Sequence, residues 1–148
     1  MSKRITYKGQ LQDGLQDKIK LSTIKGKVGY RIIDFKIMGR RPGQDSYELV
    51  CQVFTKDQTG SISSVVDFTN SELVAVAFNA GAANAINYPQ TEQIIFGSEI
   101  FNQDLFVTAN DVSGNTVATN YYLELETISL TDIQSTQLTL KNLRTITS

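Results

Sequence analysis

The chemistry open to this chain is narrowed first by the side chains it lacks. Among 148 residues there is no histidine and a single cysteine, Cys51. Histidine is the commonest general base near neutral pH and the commonest transition-metal ligand. Without it the Ser-His-Asp and Cys-His arrangements are excluded, and a zinc site would need an all-carboxylate shell, which zinc seldom adopts. An enzyme built on this chain would have to run on carboxylates, lysine or tyrosine. Neither a GxGxxG string nor a Gly-Lys-Thr/Ser phosphate loop occurs. The expectation is a protein with no catalytic residue, no metal ligand and no cofactor.

Three constellations remain to be weighed. Glu124 and Glu126 have the i,i+2 spacing of a paired acid and base. On a strand the same spacing simply sets two carboxylates on one solvated face, which is the plainer reading. Asp111, Ser113 and Asn115 place oxygen atoms at alternate positions, as calcium loops do, but the glycine at the sixth position and the distal glutamate are missing. A hairpin tip explains them better. Lys25, Lys27, Arg31, Lys36, Arg40 and Arg41 form a basic cluster. Of these, Lys25, Lys27, Arg31, Arg40 and Arg41 are the candidate partner-binding residues. On an extended strand Lys27 and Arg31 share a face while Lys36 takes the other, so the patch is not a clean stripe. Only Tyr30 and Phe35 stand nearby as stacking partners, so single-stranded nucleic acid is weakly supported. Non-specific duplex contact stays open.

These cations belong to a wider asymmetry. Residues 1–41 hold 11 Lys/Arg against 3 Asp/Glu, a net of +8; residues 42–148 hold 3 against 12, a net of −9. Such a split fits nucleic-acid contact, head-to-tail docking of copies, or neutralisation of the two halves within one fold. The last is the simplest. Hydrophobic residues make up 41% and charged residues 20%, a globular composition able to bury one continuous core. No apolar run approaches the roughly 20 residues of a membrane span, and no apolar region follows the basic start, so neither a membrane nor a secretory signal is expected. Cys51, flanked by Val50 and Val53, reads as a buried thiol.

The elements that must position these groups are extended. Residues 27–38 alternate at period 2, with Val28, Tyr30 and Ile32 on one side and Arg31, Ile33, Phe35 and Ile37 on the other: a long strand with one mixed face. Residues 38–45 are a loop punctuated by Gly39, Pro42 and Gly43. Residues 47–54 and 62–68 flank an Asp57–Gly60 turn and predict a hairpin. Residues 73–78 are short and continuously apolar, which fits a buried strand. Residues 79–90 read as a long surface loop. Residues 93–96 and 104–108 are strands. The latter is expected to turn through residues 110–115 into a return strand over 120–127, with Tyr122, Glu124 and Glu126 on one face and Tyr121, Leu123 and Leu125 on the other. Residues 131–134 resemble a capping box, predicting a short helical turn before a last strand. Residues 1–26 are open to reading as an extended basic arm. The sum is an all-β, single-domain antiparallel sandwich or barrel, with a jelly roll among its forms.

Residues 95–108 (Ile-Phe-Gly-Ser-Glu-Ile-Phe-Asn-Gln-Asp-Leu-Phe-Val-Thr) and 120–126 (Asn-Tyr-Tyr-Leu-Glu-Leu-Glu) resemble small virion proteins of tailed, especially marine, bacteriophages. The strings at 66–73 and 139–144 add to the likeness, which spans roughly residues 45–145 and matches the basic first 41 residues least. The resemblance implies an all-β capsid-associated or decoration protein and carries over no catalytic residue. The expected function is therefore a non-enzymatic head decoration or cement subunit. Its expected partners are the phage major coat protein and copies of itself, and its expected place is the virion. The alternative is a receptor- or carbohydrate-binding module of a tail or fibre, acting through loop aromatics such as Tyr88; the absence of tryptophan counts against it.

Overall fold

The structure, a computed structural model, describes residues 3–21, 28–60, 62–82, 90–97 and 99–131. Eight strands occupy most of them: β1 (Lys3–Leu11), β2 (Gln16–Ile19), β3 (Val28–Gly39), β4 (Tyr47–Phe54), β5 (Leu73–Gly81), β6 (Gln90–Ile95), β7 (Leu105–Asp111) and β8 (Thr119–Ser129). No helix occurs among the described residues. The strands form two antiparallel sheets packed as a sandwich, one ordered β1-β8-β3 and the other β2-β7-β4-β5-β6.

The order follows a nesting rule. β4 pairs with β5, β2 with β7 and β1 with β8; β6 departs from the nest by pairing with β5, and β3 meets the chain after β6 at the isolated bridge between Tyr30 and Phe101. The chain is thus a long antiparallel hairpin, rolled so that β8 also meets β3 and β7 also meets β4. The result is an antiparallel β-sandwich of three strands on five. The roll closes through the core: Phe35, Leu123 and Leu125 of the smaller sheet face Leu49, Val53, Leu105 and Val107 of the larger one, all essentially inaccessible. Cys51 lies among them as a free buried thiol, its pKa pushed far up by desolvation. One polar bond also crosses the sandwich, from the Tyr121 hydroxyl to Asp17 Oδ2 at 2.8 Å.

The mixed face of β3 has a local cause. Tyr30 and Ile32 are buried, and so are Phe35 and Ile37, although the two pairs have opposite parity. The register against β8 shifts between Ile32 and Asp34, so Ile33 is the extra residue of a bulge. One inserted residue inverts the phase of the pleat, which lets both pairs face the core.

Two expected hairpins are corrected. The partner of β4 is β5, while residues 62–68 are an irregular strap carrying exposed Val65, Val66 and Phe68. Adjacent Ser63-Ser64 and Val65-Val66 break the alternation, so that stretch cannot present one apolar face. The turn chemistry itself is present: Thr59 N donates to Asp57 Oδ1 at 2.7 Å, and Gly60 adopts φ 90°. β7 and β8 likewise lie in different sheets, and residues 112–118 cross between them. Both strands already have two neighbours, which leaves neither an edge for the other. The stretch expected as a loop after residue 78 continues β5 to Gly81. Residues 3–11 and 16–19, inside the stretch read as a basic arm, are sheet strands paired with β8 and β7. The expected C-terminal helical turn lies outside the described residues.

Candidate docking surface

The two outer faces of the sandwich differ. Over the larger sheet the chain between β4 and β5 folds back as a strap. Gln52, buried on β4, donates from Nε2 to the Ser63 and Val65 carbonyls at 3.1 and 3.3 Å. Gln16 of β2 accepts from Gln58 N at 2.7 Å and donates to Asp57 Oδ1 at 2.9 Å. The Asp57 carboxyl, bonded by Thr59 and Gln16, is held down at about 2. Among the described residues nothing comparable covers the smaller sheet.

On that open face the register builds cross-strand rows. Arg4, Glu126 and Arg31 form the first; Thr6, Glu124 and Asp34 the second; Lys8, Tyr122 and Lys36 the third; Gln10, Asn120 and Met38 the fourth. The lower rows are charge-matched. Arg31 grips Glu126 Oε2 with Nη2 at 2.6 Å and Nε at 2.8 Å, and Arg4 reaches Glu124 at 3.6 Å. The pair Glu124 and Glu126 is thus an arginine-matched solvated face. With Lys18–Asp104 at 3.5 Å, three cations of the basic first part meet acids of the remainder inside one chain. Part of the charge split is thus neutralised internally.

The upper rows are not matched in this way. Tyr122 is 38% exposed and Met38 53% exposed, and Lys8 and Lys36 flank the tyrosine from the neighbouring strands. Lys36 has a carboxylate neighbour in Asp34 at 3.3 Å. A groove of about 530 Å³ runs here over Lys8, Gly9, Met38, Asn120 and Tyr122. Beyond the strand ends Arg40 N donates to the Ala118 carbonyl at 3.1 Å, adding a further rung. A polar groove of about 470 Å³ opens at that end, lined by Gln12, Arg40, Arg41, Gln44, Asn115 and Thr116 with Asp45 as its one acid. Arg41 Nη2 donates to Gln44 Oε1 at 2.6 Å. Among the described residues neither Arg40 nor Arg41 has a carboxylate within ion-pair distance.

The far wall of the polar groove is the crossing segment, pinned by Asp111. Its Oδ1 accepts from Ser113 N, Ser113 Oγ and Glu48 N at 3.0, 2.6 and 3.1 Å; its Oδ2 accepts from Val117 N at 2.9 Å. Burial pushes this carboxyl up, but the bonds from Ser113, Val117 and Glu48 outweigh it and leave it below its ordinary value. Four donors point at the carboxylate, so its lone pairs serve the loop and Asp111 acts as a structural pin. Thr116, a β-branched residue, holds φ 54° on that wall, a conformation such residues rarely adopt.

Of the five expected partner-binding residues, Lys25 and Lys27 lie outside the described residues, as does Tyr88. Arg31 stands at the opposite end of β3 from Arg40, about 30 Å away at roughly 3.3 Å per residue, and is committed to Glu126. Arg40 and Arg41 do come together, at the groove. Lys8, Met38 and Tyr122 were not among the candidates, because their grouping depends on β1 and β3 both lying beside β8. The alternation of Arg4, Thr6, Lys8 and Gln10 against Ile5, Tyr7 and Leu11 was the available signal for β1. The chain matches no protein-family model, and no curated protein matches it at a significant level.

Proposed function

We propose that this protein is a non-enzymatic structural subunit of a bacteriophage virion, docking on the coat protein of the head as a decoration or cement subunit. The observation that carries the reading is the contrast between the two sheet faces: one is strapped by the chain itself, while the other is uncovered among the described residues and ends in the Arg40–Arg41 groove. A decoration subunit works by surface burial, each contact modest and the many copies on a particle supplying avidity. We read the sandwich as jelly-roll-like, a form shared with viral capsid domains and also with lectins and cupins, so it supports the function only as fold-level analogy. The virion-protein resemblance of residues 45–145 points the same way.

The test is attachment of the purified protein to particles of the phage that encodes it, prepared without it. Attachment should weaken as salt rises, because exposed charge pairs are screened over about 8 Å near physiological ionic strength. Reversing Arg40 and Arg41 to glutamate should lower attachment more than reversing Lys141 and Arg144. Salt-independent attachment unaffected by the Arg40 and Arg41 reversals would defeat the docking surface. Failure of the protein to appear on particles imaged from infected cells would defeat the virion assignment.

A further inference from the structure

We infer that the open face of the smaller sheet is a binding groove for an extended acidic segment of a partner protein, with a carboxylate, an apolar side chain and a second carboxylate at alternate positions. The inference rests on the reading of the chain as a docking subunit and specifies what it docks to. The two grooves share one surface: Lys8, Gln10 and Gln12 follow one another along β1 and its end, Lys36, Met38 and Arg40 along β3, and Tyr122, Asn120 and Ala118 along β8. Its cations are Lys8, Lys36, Arg40 and Arg41 and its floor is the Tyr122 ring and Met38. Asp45 lines it and Asp34 sits at its lower border on Lys36. The charge is therefore complementary to an anion at both ends and apolar between.

Spacing sets the pattern. Lys36 and Arg40 are four residues apart, about 13 Å on a strand rising roughly 3.3 Å per residue. An extended segment with carboxylates four residues apart spans that distance, and the side chain between them falls over Met38 and Tyr122. Arginine at the polar end adds bidentate pairing, and Gln12, Gln44 and Asn115 offer amide donors to the segment's backbone. A nucleic-acid strand fits less well. Its phosphates, continued along the strands, would meet Asp34, Glu124 and Glu126, and Tyr122 is the one exposed ring on these rows for a base to stack on. The chain's own last 17 residues carry Lys141 and Arg144 against Asp132 and have the wrong charge.

The probe is a capped fluorescent hexapeptide, Glu-Thr-Leu-Thr-Glu-Glu, titrated into the full chain by anisotropy and by backbone amide NMR. A lysine-for-glutamate peptide and an oligothymidylate of equal length run beside it. Specific binding of the acidic peptide is expected, with shifts confined to residues 8–12, 36–45 and 115–122. Lys8→Glu with Lys36→Glu, and separately Arg40→Glu with Arg41→Glu, should each weaken it by about tenfold or more. All four sites are exposed, so folding should survive, and Lys20→Glu on another face should leave affinity unchanged. No binding, shifts elsewhere, stronger binding of the oligothymidylate, or a self-association that the reversals abolish in place of peptide binding would each overturn the inference. Particle attachment is read on the same variants. If the peptide occupies the groove yet every reversal attaches to particles normally, the docking reading falls and the groove stands. If attachment is lost on reversal but the peptide never binds, the docking surface stands and its acidic occupant falls.

Discussion

Replacing Asp111 with alanine should loosen the wall of the polar groove and cost the fold a measurable part of its stability. The carboxylate accepts four hydrogen bonds, two from Ser113 and one each from the backbone N–H groups of Glu48 and Val117. Ser113 is exposed and its donors recover water on truncation. The Val117 bond is buried and the Glu48 bond partly so. Losing a charged acceptor costs about 1.5–3 kcal/mol per buried donor, so the pair predicts about 3–4 kcal/mol. In a chain of this length, at about 2–4 °C per kcal/mol, Tm should fall by about 10 °C. Asp111→Asn should recover less than half, because its amide nitrogen would oppose the Val117 N–H. Thermal unfolding by circular dichroism measures both, and amide exchange at Glu48 and Val117 localises the effect. The sign with pH is fixed too. The folded carboxyl is held below its ordinary value, so its contribution is complete above the unfolded pKa near 3.9 and is lost as pH falls through the folded one. The gap between wild type and Asp111→Ala should therefore close in acid. A loss under about 1 kcal/mol at neutral pH, against the several expected of buried donors, would refute the pin.

Deleting Ile33 should abolish cooperative unfolding or soluble expression, because one of the pairs Tyr30–Ile32 and Phe35–Ile37 would then face solvent, at a cost of about 4 kcal/mol or more; wild-type-like melting would show that the bulge is dispensable. Gln52→Ala should release the strap, seen as faster limited proteolysis between residues 62 and 68 with a stability loss of about 1–2 kcal/mol; unchanged cleavage would mean the Ser63 and Val65 contacts do not hold it. Tyr121→Phe removes the hydroxyl that reaches Asp17 across the sandwich and should cost about 1–2 kcal/mol by denaturant titration. No loss would show that the inter-sheet bond is replaced by water.

Strands were legible wherever alternation was strong, as in β4, β7 and β8, or where a continuous apolar run is bounded by turns, as in β5. Their partners were not, because pairing here is non-local. The Lys3 amide donates to Thr127, 124 residues away, and no local signal marks that contact. The residues between β4 and β5 show the same limit. An Asp-to-Gly turn sits beside β4 as a hairpin requires, yet the chain spends the next residues as a strap before supplying the true partner. The bulge was visible only as two apolar sets of opposite parity on β3. The site was half legible for the same reason. Arg40 and Arg41 adjoin Pro42 and Gly43 in sequence and read as an exposed loop, which they are. Lys8 and Lys36 come together only through β8, which lies between them.

The fold also explains why the charge split does not make the first 41 residues a free basic surface. A rolled hairpin places early strands beside late ones, so β1 and β3, from the basic part, both border β8, from the acidic part. Neutralisation across that seam is a consequence of topology: Arg4 and Arg31 lie on either side of β8 and meet Glu124 and Glu126 on it. β8 carries those acids only over its second half, however. Where its outward residues become Tyr122 and Asn120, the cations of β1 and β3 meet no carboxylate on β8. Exposed pairs contribute little to stability, at most about 1 kcal/mol each, so matching the upper rows would gain the fold little. Under the proposed docking role, leaving them unmatched would give the face a charge for a partner to read, set on paired strands and a pinned loop, where less side-chain freedom would be lost on binding than on a mobile arm. The basic stretch of the sequence thereby narrows, on this face, to two lysines beside Tyr122 and two arginines at the end of the strands.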